Sequence, residues 1–410
     1  MTRTVDVLVV GAGPAGAAAA ITLARAGVDT LVIDRARFPR DKCCGDGLTT
    51  LALRELDRLG LDPDRVGSWQ PVRAAVIRSP SAREITFPLP DGPGIYAAVA
   101  RRIDLDGALV ELIRHSGAAV ADGHGLRSAT ESRDGLTAEV AELGTVRARW
   151  AIGADGMWSA LRRALGLSRP AYRGEWHAFR QYFTGVGPRA ASELVVSFEA
   201  DLLPGYAWSF PLPGRRANVG FGMRRGGRQE VGSMRSQWLD LLARPHMRAL
   251  LGTDAEPEAP VKAWPIPARI GRSVLSSRRA LFVGDAAAAS DPMTGEGIGQ
   301  ALLTGRLAAE ALLGDHHDRA AAVYEASVRA ELVADDRMAR ALAPLLARPI
   351  IARAAIRATG STSWTRHNFA RWLFEDYPRA IIATPRRWHR GMFNGPGTFG
   401  DQPTRPPLTS

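Results

Sequence analysis

The sequence predicts an α/β plus α+β chain: a parallel-stranded domain with helices packed on it, a β-rich second domain and a set of C-terminal helices. Three observations predict this. The apolar run Val5–Val10 leads into Gly11-Ala12-Gly13-Pro14-Ala15-Gly16 and then an alanine-rich stretch, the pattern of a buried parallel strand followed by a helix. Residues from about 175 to 265 alternate short aromatic strands with Pro and Gly turns. The chain has 410 residues, long for one hydrophobic core, so two packed domains are expected.

The helix after the glycine run extends from about Pro14 to Ala26, and Gly27 stops it. Thr30–Ile33 is a second strand, and Asp34 closes it. Within this βαβ beginning, Gly11 permits a tight turn, Gly13 lets the backbone approach a pyrophosphate, and Gly16 lets helix and strand pack closely. The helix start offers free N–H groups and a positive dipole end to phosphates. Asp34 stands where a ribose-binding carboxylate is expected. Together these features point to a dinucleotide.

Strand and turn signals follow at Ala74–Arg78 and Glu84–Phe87, and a helix is expected over residues 103 to 115. Arg102 precedes that helix, able to reach phosphate or adenine. The strand Trp150–Ile152 feeds Gly153-Ala-Asp155-Gly156-Met-Trp-Ser159, and the strand Ala280–Val283 feeds Gly284-Asp285, then Pro292-Met-Thr-Gly295-Glu296-Gly297-Ile298. A carboxylate at a strand end can accept from a sugar hydroxyl. A helix opening near Gly297 can aim N–H groups at a ring edge that gains negative charge. Asp285, Asp291 and Glu296 lack a nearby His or Cys, so no metal site is expected. The rest, to about residue 392, reads as Ala/Leu/Arg helix.

Composition narrows the class. Hydrophobic content is 46% and charged content 23%, ordinary for a globular protein. No apolar run reaches 18 residues, so no membrane-spanning helix is expected. Met1–Asp6 carries no leader pattern, which points to the cytoplasm. The only cysteines, Cys43 and Cys44, are adjacent, a spacing that strains a disulfide. Net charge is +11, yet no aromatic-interleaved basic stripe or nucleic-acid motif accompanies it, so nucleic acid is not expected as a partner. Attraction to anionic lipid stays open.

The order glycine loop, Asp34, R-x-x-L-D-x-x-L from Arg102, G-A-D-G-x-x-S from Gly153 and G-D-A-A with P-x-x-G-E-G-I from Gly284 resembles the superfamily of class-A flavoprotein monooxygenases and geranylgeranyl reductases, over roughly residues 5 to 310. The resemblance implies FAD and a Rossmann-like, p-hydroxybenzoate hydroxylase-like FAD-binding domain. Two segments are similar to the reductase branch: Pro39-Arg40-Asp41-Lys42-Cys43-Cys44-Gly45, and Tyr206-Ala-Trp208-Ser-Phe210-Pro211. On a strand, Tyr206, Trp208 and Phe210 share one face. They are the expected substrate-binding wall for a prenyl chain.

The implied cofactor-binding residues are Gly11, Gly13, Pro14, Ala15, Gly16, Asp34, Arg35, Lys42, Cys44, Gly45, Gly47, Arg102, Leu126, Asp155, Asp285, Pro292, Gly295, Gly297 and Ile298. Cys44 is the candidate catalytic residue, to shape or gate the flavin site. The expected division is an FAD-binding domain of residues 1–72, 100–172 and 276–312, a β-sheet substrate domain of 73–99 and 173–275, a helical region of 313–393 and a flexible tail of 394–410.

The implied reaction is saturation of a C=C bond in a polyprenyl chain, on a geranylgeranyl lipid or a menaquinone, with electrons from NADPH or a reduced carrier. The alternatives are an FAD-dependent monooxygenase or halogenase of an aromatic or polyketide substrate, and a non-catalytic flavin or lipid carrier. A polyprenyl substrate implies peripheral contact with the inner face of the cell membrane. The stretch Ala341–Ala358, with Arg340, Arg348, Arg353 and Arg357, is the candidate contact; Pro344 and Pro349 are expected to interrupt it, and a packed C-terminal helical cap is the alternative reading.

Overall fold

The computed structural model describes residues 2–169, 171–226, 231–314 and 319–400. Two sheets organise the chain. In the first, the strand Thr2–Val10 lies between Thr30–Asp34 and Gly144–Gly153, parallel to both. Ala119–Asp122 extends the sheet beyond Thr30–Asp34, and Ala280–Phe282 pairs with the end of Gly144–Gly153. An antiparallel hairpin, Leu126–Glu131 with Leu136–Val140, completes the other side.

Strand Thr2–Val10 is buried on both faces from Val7 onward, as its unbroken Val/Leu run requires. Over it packs the helix Pro14–Arg25, whose alanines are nearly all fully buried and let it sit close to the helix Ile298–Leu313. Gly305 allows that approach, since a Cβ there would stand 2.1 Å from the Ala15 carbonyl oxygen.

The second sheet runs Glu256–Pro257, Trp176–Thr184, Arg216–Arg224, Tyr206–Leu212, Leu194–Ser197, Ala74–Arg78 and Glu84–Pro88, with Lys262–Ile266 also paired to Trp176–Thr184. A small third sheet joins Gly47–Leu48 and Gln70–Pro71 to Ala98–Val99. Residues 98–99 therefore pair with strands from the first 72 residues, across the boundary expected at residue 100. We propose the expected division otherwise unchanged.

Three expectations for the C-terminal part differ from what forms. The helix Ala320–Leu346 contains Pro344, so only Pro349 interrupts the stretch, as the start of Pro349–Thr359. Pro344 lies two residues from the helix end, where one missing N–H costs a single terminal hydrogen bond. The tail expected from residue 394 is not loose up to residue 400. Thr398 bridges Ile95, Tyr96 Oη donates to the Gly395 carbonyl at 2.8 Å, and Phe399 packs edge-on against Trp69. The remainder of the expected tail, 401–410, lies outside the described residues. After the helix Ser363–Leu373 the expected helix gives way to short 3-10 turns.

Candidate functional site

A cavity of about 710 Å³ is lined by residues of both sheets. At one end is the glycine loop. Gly11 adopts φ 108°, and a Cβ there would meet the Ala154 carbonyl oxygen at 2.4 Å. Gly16 does not line the cavity. A Cβ on it would stand 1.8 Å from the Gly11 oxygen, so it serves the packing of loop and helix. Gly13 caps the Pro14–Arg25 helix with no side chain on its first N–H groups. Two guanidiniums converge there: Arg40 and Arg102 Nη2 lie 3.5 and 3.9 Å from where a Cβ on Gly13 would be. Both are held by Asp106, Arg102 through a two-pronged pair at 2.7 Å and Arg40 at 2.9 Å. Two cations share one carboxylate beside an open helix start, which leaves net positive charge for an anion.

Asp34 lines the cavity near Arg35 and Leu126. Its two oxygens each accept a backbone N–H at 2.8 Å, from Ala12 and from Ala36, so it braces the glycine loop as well as facing the ribose position. Asp155 also lines the cavity. One of its oxygens accepts from Leu161 N at 3.0 Å, and the other is buried with no partner among the described residues.

Further along stand Lys42 and Asp285, paired at 2.9 Å. The Ile298–Leu313 helix opens into the same cavity, with Gly297 as its uncapped start and Gly295 at φ 73°. Pro292 is not brought into this cavity. It lines a smaller one of about 210 Å³ behind it, and its carbonyl accepts from Trp176 Nε1. The reason is local: the turn hydrogen bonds from Met293 N and Thr294 N to Asp291 direct residues 291–292 away from the opening.

The opposite wall is aromatic. Tyr206, Trp208 and Phe210 project from one strand face, with successive ring centres 6.0 and 6.2 Å apart. Phe210 and Trp208 come so near the Cys44–Gly47 loop that a Cβ on Gly45 would touch both, at 3.6 and 3.7 Å. Gly220 makes room for Trp208, since a Cβ there would meet its ring at 2.3 Å.

Several site residues went unnoticed in the sequence. Asp46 is fully buried at φ 64°. It accepts from Tyr182 Oη at 2.6 Å and from Asn218 Nδ2 at 2.8 Å. Asn218 also donates to the Cys44 carbonyl and accepts from Trp208 Nε1, tying loop to wall. Arg180 stacks over Tyr182 at 4.0 Å and reaches Asp41. Burial pushes Asp46 up to about 6, although Arg180 and its two donors pull it down. Burial likewise pushes the Cys44 thiol up to about 11, so it is a thiol at neutral pH. The Gly45-Asp46-Gly47 spacing was a usable signal for Asp46; Tyr182, Asn218 and Arg180 had none.

The cavity fits FAD. It offers one positively charged helix start for the pyrophosphate, a second open helix start for a ring edge, an unpartnered Asp155 oxygen for a hydroxyl, and an apolar wall beside them. Among the described residues no group of three or more His, Cys, Asp and Glu is placed to hold a metal.

Comparison with known proteins agrees. A family model described as FAD binding domain matches residues 4–321. The menaquinone reductase of Mycolicibacterium smegmatis is 37% identical over 335 residues, covering 76% of each chain. Digeranylgeranylglycerophospholipid reductase 1 of Methanopyrus kandleri is 32% identical over 318 residues, covering 74% of this chain and 79% of that protein. The crystal structure of a geranylgeranyl bacteriochlorophyll reductase-like protein from Thermoplasma acidophilum superposes with a TM-score of 0.77 at 22% identity, covering 95% of this chain and 100% of that one, which shows the shared fold.

Proposed function

We propose that this chain, which belongs to the FAD-binding-domain family of flavoproteins and within it to the geranylgeranyl reductase group, saturates C=C bonds of a polyprenyl chain. The observation that carries this reading is the Tyr206/Trp208/Phe210 wall packed against the Cys44–Gly47 loop, in the same cavity as the glycine loop. The menaquinone reductase relative supports a quinone-borne chain, and the digeranylgeranylglycerophospholipid reductase relative a lipid-borne one.

FAD, once bound and reduced, supplies hydride. Gly11, Gly13, Pro14 and Ala15, with Arg40 and Arg102, would hold its pyrophosphate; Asp34, Arg35 and Leu126 would face the adenosine part; Asp155, Asp285, Lys42, Gly295, Gly297 and Ile298 would face the rest. Electrons come from NADPH or a reduced carrier. The aromatic wall lays the prenyl chain down and excludes water, which an unactivated alkene needs for productive positioning. Cys44, neutral and hydrogen-bonded to Asp46 N, shapes the floor of the site. The test is anaerobic. Reduced protein incubated with a polyprenyl substrate gains two hydrogens in the product by mass. Product that requires oxygen or halide would refute the reading in favour of a monooxygenase or halogenase.

Access to such a substrate involves a membrane surface. No helix among the described residues is long and apolar enough to cross a membrane. The C-terminal elements expose Ile350 (73%), Trp364 (74%) and Ile382 (90%) among arginines that include Arg348 and Arg353, a composition that suits the headgroup boundary of an anionic bilayer. Pelleting with anionic liposomes, lost on replacing Ile350, Trp364, Arg348 and Arg353, supports this contact; unchanged pelleting rules it out.

A further inference from the structure

Saturating an alkene takes a proton as well as a hydride, and the cavity wall offers few sources. Cys44 is too weak an acid. Asp46, pushed up only to about 6, is mostly ionised at neutral pH, with Oδ2 accepting from both Tyr182 and Asn218. The Tyr206 hydroxyl is committed to the Thr294 carbonyl, and burial with neighbouring carboxylates raises it further. Lys42 is tied to Asp285.

Glu296 is different. It lines the cavity, and its Oε1 lies 3.5 Å from where a Cβ on Gly47 would stand, with the Phe210 ring edge 3.3 Å from the same point. Arg379 is the cation that acts on it, and both Nη atoms of that guanidinium are already taken. Asp291 pairs with it at 2.7 Å and Glu375 at 3.4 Å. Asp291 also accepts from Met293 N, Thr294 N and Thr294 Oγ1, and Glu375 from Thr49 and Gln300. Asp335, the fourth carboxyl around Arg379, has Arg387 and Ala380 N. The Glu296 carboxyl has no hydrogen-bond donor among the described residues. Three carboxyls with donors and one without, around one guanidinium, leave Glu296 as the group that stays protonated.

Resting on the polyprenyl-reductase reading, we propose that Glu296 is the proton donor to the alkene carbon that does not receive the hydride. Its O–H bond breaks and a C–H bond forms. The π pair makes that bond, the hydride supplies the pair for the other, and the carboxylate regains a proton from solvent. The two electrons are replaced through the flavin by a donor of the nicotinamide or reduced-carrier class. Burial, with Glu375 and Asp291 outweighing Arg379, pushes Glu296 up to about 8, so the acid form persists at neutral pH.

The experiment uses FAD-loaded full-length protein, wild type, Glu296→Gln and Glu296→Asp, with a geranylgeranyl glycerophospholipid and a menaquinone as probes. Anaerobic formation of the chain-saturated product from either probe, read by mass after any quinol has been returned to quinone in air, falls about 100-fold in E296Q, the contribution of a positioned general acid. Flavin absorbance and reduction by dithionite stay unchanged. The wild-type rate declines as pH rises through about 8, a decline E296Q lacks, and E296D recovers part of the rate. Independently of turnover, pH-difference infrared spectra of wild type show a carboxylic acid band titrating near 8 that is absent in E296Q. An E296Q enzyme with wild-type rate and pH profile, or no such band in wild type, overturns the proposal while leaving the reductase reading intact. A wild type that reduces neither probe, band present or not, overturns that reading and the proposal with it.

Discussion

At the glycine loop the cavity wall is backbone: open N–H groups at the start of the Pro14–Arg25 helix, glycines in close contact, and Asp34 satisfied by two amides. At the Cys44–Gly47 end it is side chains: a buried carboxyl at positive φ, aromatic rings in contact with glycines, and Glu296 without a donor. The first end has its polar groups in order before any ligand arrives. The second holds groups whose protonation burial has displaced. Binding a charged dinucleotide rewards the former arrangement, and moving protons requires the latter.

Two substitutions sharpen this contrast, and the one that removes the cofactor belongs to the backbone end. In Gly16→Val the new side chain meets the Gly11 carbonyl, so the loop must open. The expected result is protein without bound FAD that has lost about 3 kcal/mol, as overpacking at a close backbone approach can cost. Flavin absorbance and urea denaturation measure both, and an FAD-replete variant of wild-type stability would show that the backbone end tolerates disorder.

Glu296→Gln acts in the opposite direction. An unfolded Glu ionises near 4.5, whereas the folded group holds its proton up to about 8. Below the unfolded value the wild type bears no cost. As pH rises from there the unfolded state alone gains by ionising, at up to about 1.4 kcal/mol per unit, until the folded carboxyl ionises too. Glutamine does not titrate. E296Q therefore matches wild type near pH 4.5, is more stable by up to about 3 kcal/mol at pH 7, and levels off above 8. Equal melting temperatures at pH 5 and pH 8.5 would place Glu296 among ordinary ionised glutamates and erase the difference between the two ends.

The same contrast explains what the sequence revealed. Gly11, Gly13, Gly16, Asp155 and Gly297 were legible because backbone approach to a dinucleotide demands glycine and acid at fixed local spacing, and so was the parallel sheet beneath them. Tyr206, Trp208 and Phe210 were legible because alternate strand residues share a face. Arg379 and Glu375 were not, since they act on Glu296 from about 80 residues away through a turn with no periodicity. Arg40 lay inside a recognised segment, yet only folding brings it and Arg102 to one carboxylate. Pro292 was misplaced because the motif gives its spacing and not the direction of the Asp291 turn. The tail was misread because Gly and Pro content does not disclose that Thr398 would find Ile95.

That late pairing bears on the order of events at the ribosome. The glycine loop is made before strand Ala280–Phe282, which must arrive before its sheet is whole. Arg379 and Thr398 must arrive before the acidic end is anchored. At bacterial or eukaryotic synthesis rates of about 5–20 residues per second, roughly 20 to 70 seconds separate Gly16 from Arg379. Throughout that interval the nascent chain can present a dinucleotide loop without the residues that hold Glu296 in place, so capture of the cofactor and assembly of the chemical end are separate events in the life of the molecule.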